Sequence, residues 1–256
     1  MSRNYELIQQ AEIRLEVPAS KEPNTDHLSP PANKKSKNGK PARLYLDDNE
    51  AREESFKLLQ NIFLRREEAV PRVVVFAGID SGNGCSAICT YAAEALASQK
   101  LGTVCLVDGN VRSPSLADHF GISNHYGFTD ALHGQGAIRD LATLVGPDNL
   151  WLLSCGSRAP ESPRLLNSAG MKARIVELRA EFDYVLIDTP PLNTFADGIA
   201  IGKLADGLVL VLEANATRRE SASNTVENLR AAQINILGAV LNKRTYPIPR
   251  ALYNWI

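Results

Sequence analysis

"RVVVFAGIDSGNGCS", residues 72–86, carries the reading on which the fold turns. Arg72 to Ala77 is an apolar, largely β-branched run with the length and character of a buried strand. Glycines at 78, 82 and 84 interrupt it, and an alanine-rich stretch follows in which Ile88, Tyr91, Ala92, Ala95 and Leu96 recur at helical spacing. Strand, glycine-rich turn and helix in that order make the setting of a phosphate-binding loop. There, glycines let backbone N–H groups face an anion, and the helix N-terminus adds positive potential. Against the pattern G-x-x-x-x-G-K-[ST], "GCS" makes Gly84 the second glycine and Ser86 the metal-binding hydroxyl. Ile79 then stands where the first glycine belongs, with Gly78 one residue early, and Cys85 stands where lysine belongs. On the loop alone two readings are open: a nucleotide site without its lysine, or a glycine-rich strand-to-helix turn.

Working outward, "GTVCLVD" (102–108), "NLWLLSC" (149–155), "DYVLID" (183–188), "DGLVLVLEA" (206–214) and "ILGAVLN" (236–242) are further short apolar runs. Helical spacing lies between most of them, as in Met171, Ile175, Leu178 and Phe182. The alternation predicts an α/β fold with a mostly parallel sheet covered by helices on both faces, and ligands at the carboxyl ends of the strands. Before it, residues 50–66 predict a helix with Phe56, Leu59, Ile62 and Phe63 on one side, ended before Pro71. Residues 1–17 predict a short N-terminal element, an amphipathic helix through Ile8, Ala11 and Leu15, although "IRLEV" also alternates like a strand. Residues 18–45, with "SPPANKKSKNGKP", predict a disordered linker, because that composition buries too little apolar area to offset its ordering entropy. The main domain is thus expected over 46–256.

Lys+Arg 28 against Asp+Glu 29 leaves a formal net charge of -1, which gives no bias toward nucleic acid or an anionic membrane. The four cysteines lack metal-ligand spacing and are expected as reduced thiols. No run approaches the ~18 apolar residues of a membrane span, so a cytoplasmic protein is expected, with membrane association through a partner.

Two later stretches bear on the loop. "VCLVDGNVRSPSL" puts Asp108, Asn110 and Arg112 at the end of one strand, and "DYVLIDTPPL" puts Asp188 at the end of another. Strand-end carboxylates beside Ser86 suit a hydrated Mg²⁺, which takes one or two carboxylates and keeps several waters. Taken singly, each acid also fits a loop carboxylate that caps a helix.

With "GNGCS", "LVDGNVRSPSL", "FDYVLIDTPPL" and "LGAVLNKRTYPIP" in this order, the chain resembles the bacterial tyrosine kinases of capsule and exopolysaccharide systems. These belong to the deviant Walker P-loop ATPases, together with the MinD and ParA proteins. "GFTDALHG" (127–134), "ADGLVLVLEANATRRE" (205–220) and the opening "MSRNYELIQQAE" also resemble segments of that family. The resemblance implies a P-loop NTPase-like fold that binds ATP or ADP with Mg²⁺. It implies that Gly82, Asn83, Gly84, Cys85, Ser86 and Ala87 wrap the phosphates and that Ser86, Asp108 and Asp188 serve the metal. Asp108 would lie near the transferred phosphoryl group as a candidate catalytic residue, and Asn242 would approach the adenine. Tyr246 and Tyr253 become phosphoacceptor candidates, with packing of the tail as the other reading. The implied partners are a membrane polysaccharide chain-length regulator, or copolymerase, and further copies of the chain.

The departures from the family concern chemistry more than fold. Besides Cys85, the extra loop lysine of MinD and ParA proteins falls at Asp80, and the second acid of the D-x-D pattern is Asn110. The ring-assembly motif E-x-x-R-x-x-R appears as Glu54, Lys57 and Gln60, and the tyrosine cluster shrinks to Tyr246 and Tyr253. Phosphoryl transfer depends on positioning and on neutralising the γ-phosphoryl oxygens, so loss of one charge-assisted contact costs ~2 to 4 kcal/mol of transition-state stabilisation. Nucleotide binding with weak or absent kinase activity in a regulator of polysaccharide synthesis or export is therefore the expected function. The alternatives are an active kinase in which Arg112, Lys243 or a partner's cation replaces the lysine, and a nucleotide-independent adaptor. Cys85 itself reads either as a small residue filling the lysine's space or as a thiol activated by the helix N-terminus.

Overall fold

Alternation within the strands divides the side chains of one sheet between two cores. The computed structural model describes residues 57–63, 70–146, 149–157, 162–166 and 169–243, and the statements that follow concern these. The expected N-terminal element, the linker, Glu54 and both candidate tyrosines, Tyr246 and Tyr253, lie outside them. In chain order the strands are β1 (Val73–Gly78), β2 (Val104–Asp108), β3 (Thr143–Leu144), β4 (Leu150–Leu153), β5 (Tyr184–Thr189), β6 (Gly207–Glu213) and β7 (Ile236–Asn242). The helices are α1 (57–62), α2 (Cys85–Ser98), α3 (Leu116–Phe120), α4 (Phe128–Leu132), α5 (Ile138–Leu141), α6 (Ser162–Leu165), α7 (Ala169–Glu181), α8 (Asp197–Gly202) and α9 (Arg219–Ala231).

Val73, Val75 and Ala77 of β1 join Cys105, Val107, Val185 and Ile187 in a core closed by Phe128, Met171, Ile175, Leu178 and Leu229. Val74 and Phe76 point the other way, into a core with Leu106, Leu186 and Val209 closed by Leu59, Phe63, Cys89, Ala92 and Leu96. Helices on both faces explain why the strands read as continuous apolar runs, since a strand covered on both sides has no solvent face to mark. The fold class expected from the sequence holds.

The strand order is β3-β4-β2-β5-β1-β6-β7, parallel throughout except for the antiparallel β3. The edge strand β3 was not anticipated: two residues long, it is too short to carry a period. The connection from β1 runs past β5 to β2, whereas that from β5 runs past β1 to β6, so the two leave in opposite directions above the carboxyl ends of β1 and β5. Such a switch point leaves a crevice where loops can converge on a ligand. The glycine-rich loop follows β1 there. Asp108 and Asp188 sit directly opposite each other at the ends of β2 and β5. No helix among the described residues is long and apolar enough to cross a membrane.

Candidate functional site

The loop after β1 is held by one asparagine. Asn83 is buried; its Oδ1 accepts from the Asp80 amide at 2.6 Å, and its Nδ2 donates to Thr217 Oγ1 at 3.3 Å. Its carbonyl accepts from Asn242 Nδ2 at 2.8 Å. On either side, Gly82 (φ +84) and Gly84 (φ +82) take the left-handed conformation that only glycine adopts cheaply. Gly84 has a second reason to be glycine, because a Cβ there would stand 2.3 Å from Asn242 Nδ2. Gly84 is also the N-cap of α2, with no side-chain cap and no acidic residue in the first turn. The first N–H groups of this fourteen-residue helix therefore keep both their donor capacity and the positive end of its dipole.

Below the loop lie the two acids. Ser86 Oγ donates to Asp188 Oδ2 at 2.6 Å, and Asp108 Oδ2 accepts from the amides of Ser115 at 3.1 Å and Leu116 at 3.0 Å. The Oδ1 atoms of both acids are buried without a hydrogen-bond partner among the described residues. Burial pushes Asp188 up to about 7, with Asp108 adding to the effect and the Ser86 hydroxyl opposing it. Burial likewise raises Asp108 to about 6 against its backbone hydrogen bonds. Two carboxylates with orphaned oxygens beside a hydroxyl make a donor set that fits Mg²⁺, whose remaining positions go to water and phosphate. No group of three or more His, Cys, Asp or Glu gathers among the described residues, so an all-protein metal cage is not formed there.

Above them opens a cleft of about 470 Å³, lined by the loop from Gly82 to Ser86, by Asn110 and Arg112, and by the Thr189–Pro191 turn and Phe195. Of the residues expected around phosphate, Gly82, Asn83, Gly84, Cys85 and Ser86 line this cleft and Ala87 does not. Asp108 and Asp188 are fully buried and stand behind the lining rather than in it. Asn242, expected near an adenine, does not line the cleft either, and its amide is committed to the loop. Asn110 accepts from the Ser113 amide at 3.1 Å, which turns the chain after β2. Asp80 accepts from Asn193 Nδ2 at 2.7 Å. Lys57 and Gln60 are exposed on α1. The sequence reading missed Asn193, Thr217, Phe195 and Asp197, ordinary polar and aromatic residues that become part of the site only because three loops meet.

Cys85 departs from one of its two readings. Burial, followed by the neighbouring Asp188 carboxylate and Cys89, pushes its thiol well above the usual range, and the helix N-terminus does not offset this. The thiol is thus held neutral, against the reading in which the helix N-terminus activates it.

The chain is homologous to bacterial tyrosine kinases. It is 32% identical over 139 residues to tyrosine-protein kinase YwqD of Bacillus subtilis, a stretch that covers 54% of this chain and 59% of that kinase's length. Its fold matches the kinase domain of the Escherichia coli tyrosine kinase ETK, with a TM-score of 0.72 at 22% identity, covering 79% of this chain and 81% of that one. It also matches the septum site-determining protein MinD complexed with Mg-ADP from Pyrococcus horikoshii, with a TM-score of 0.56 at 21% identity, covering 71% and 75%. At these identities the two structures speak for the fold, which is that of the P-loop kinases and MinD-type ATPases. No protein-family model matches the chain.

Proposed function

We propose that this chain binds ATP or ADP with Mg²⁺ and regulates polysaccharide synthesis or export beside a membrane chain-length regulator, with phosphoryl transfer weak or absent. The observation that carries the reading is the division of the site between parts kept and a part lost. The glycine-built loop, the open helix N-terminus and the Ser86–Asp188 pair are in place. The lysine's position holds the neutral thiol of Cys85.

Binding and turnover depend on different parts. Backbone N–H groups and the helix dipole recognise phosphate without any side-chain cation. Ser86, Asp188 and Asp108 would hold Mg²⁺, which would supply positive charge to the bound phosphates. Transfer needs more positive charge as the γ-phosphoryl group separates, and that is the contribution the lysine makes in this fold. Homology to tyrosine kinases and the likeness to MinD, solved with Mg-ADP, support nucleotide binding; the polysaccharide setting rests on the family resemblance.

Titration calorimetry with Mg-ADP and Mg-ATP tests the reading. Measurable binding that Ser86→Ala weakens at least several-fold is expected, alongside little or no autophosphorylation. In the Cys85→Lys variant phosphoryl transfer should rise if the remaining groups are competent. Absence of binding to either nucleotide would leave the adaptor alternative, and rapid transfer by the unmodified chain would make it a kinase.

A further inference from the structure

We propose that Arg112 is the phosphate-binding cation of the cleft, supplying to the di- or triphosphate of a bound nucleotide the positive charge that Cys85 does not carry. The inference rests on the nucleotide-binding reading above and assigns the residue on which it depends.

Among the described residues lining the cleft, Arg112 is the one cation, and it stands on the β2 loop while Gly82 to Ser86 line the same space from the β1 loop. The Asn110–Ser113 turn puts it there: Ser113 N donates to both the carbonyl and Oδ1 of Asn110, reversing the chain around residues 111 and 112. Lys243, the other in-chain candidate, is excluded by position. Its Nζ is tied to Glu213 Oε2 at 3.0 Å and it lines no part of the cleft.

Arg112 is also held ready. Its Nε and Nη2 donate to the two carboxylate oxygens of Asp197 at 2.7 and 3.1 Å, and its guanidinium lies 3.9 Å over the ring of Phe195. Asp197 is almost fully buried, whereas a third of the Arg112 side chain is exposed, so the anchor is inside and the cation is at the wall of the cleft. A guanidinium fixed on one edge and one face loses little further freedom when an anion arrives. Asp197 also cancels part of its field. A paired arginine can therefore hold a polyphosphate while neutralising a developing charge less well than an unpaired loop lysine would, in keeping with binding that outlasts catalysis.

The test is calorimetry with Mg-ADP on the full chain and on Arg112→Gln, Arg112→Lys and Cys85→Lys, singly and with Arg112→Gln combined with Cys85→Lys. Arg112→Gln should lose about tenfold or more in affinity, as expected for one charge-assisted contact, and Arg112→Lys should retain part of it. In the Cys85→Lys background the same Arg112→Gln change should cost several-fold less, because the loop then carries its own cation. Equal losses in the two backgrounds, or no loss at all, would overturn the assignment while leaving nucleotide binding intact. A full chain that binds no ADP would overturn both. If Arg112→Gln fails to fold with Asp197 left unpaired, the neutral pair Arg112→Gln with Asp197→Asn preserves the shape and is read by the same criteria.

Discussion

Asp188 is shifted further by its surroundings than the acid opposite it. It stands fully buried at the end of β5, opposite Asp108, with Ser86 and the neutral Cys85 thiol as neighbours. Both acids have folded pKa values, about 7 and about 6, above the value near 3.9 that an unfolded aspartate takes. Between about pH 4 and pH 7 the folded chain therefore holds more protons than the unfolded one, and stability from these groups falls as pH rises through that window. The ligand-free protein is expected to melt at a lower temperature at pH 8 than at pH 5. Asp188→Asn should flatten this dependence and raise the melting temperature at pH 8 while weakening Mg-nucleotide binding, as thermal melts and calorimetry on the same variant would show. A wild-type melting temperature that rises from pH 5 to pH 8 to the same extent as that of Asp188→Asn would refute the account. The trade is a general one: a buried pair of like charges is tolerated where it awaits a cation.

At the scale of the element, the loop and α2 behave as one piece because Asn83 and Asn242 fasten it to the neighbouring chain. The two left-handed glycines separate the contributions. Gly82 has open space where a Cβ would go, so Gly82→Ala should cost only the backbone strain, about 1 kcal/mol. Gly84→Ala carries the same strain and also forces Asn242 off the Asn83 carbonyl, so it should cost about 2 to 3 kcal/mol. Urea unfolding of the two variants measures the difference, and equal costs would mean that Asn242 yields freely. Because β7 ends at Asn242, a change in the loop is communicated to the last strand of the sheet through a single side-chain amide.

Among the described residues the sheet is insulated on both faces, and stability is concentrated there. Phe76, fully buried in the interior strand β1, should cost about 3 to 5 kcal/mol on truncation to alanine, since neighbours in a packed sheet collapse only partly into the space. Val176, 61% exposed on α7, should change stability by no more than about 0.5 kcal/mol on the same substitution. Denaturant midpoints decide between this distribution and one in which the outer helices share the load. The arrangement leaves the carboxyl ends of the strands to chemistry. Asn110 there belongs to neither core, whereas Cys85, the first residue of α2, packs against the core that Phe76 shares with α2.

The α/β class, the six parallel strands and the place of the glycine-rich loop were legible in the sequence, because buried strands and the α2 and α7 helices impose periods long enough to read. Asp108 and Asp188 were legible for a related reason, since each closes an apolar run and so stands at a strand end, whereas Ser86 was placed by the glycine-rich turn that leads into α2. The short helices α3, α4, α5, α6 and α8 and the edge strand β3 span too few residues for a period to show. The partners also stayed hidden, since Asn83 reaches Thr217 across 134 positions and Arg112 reaches Asp197 across 85. Local pattern follows from the backbone's own periodicity, so sequence determined the long elements and their order. Which cation faces the loop, what holds it and how far a buried acid's pKa rises depend on distances through space, and only the folding of the chain sets those.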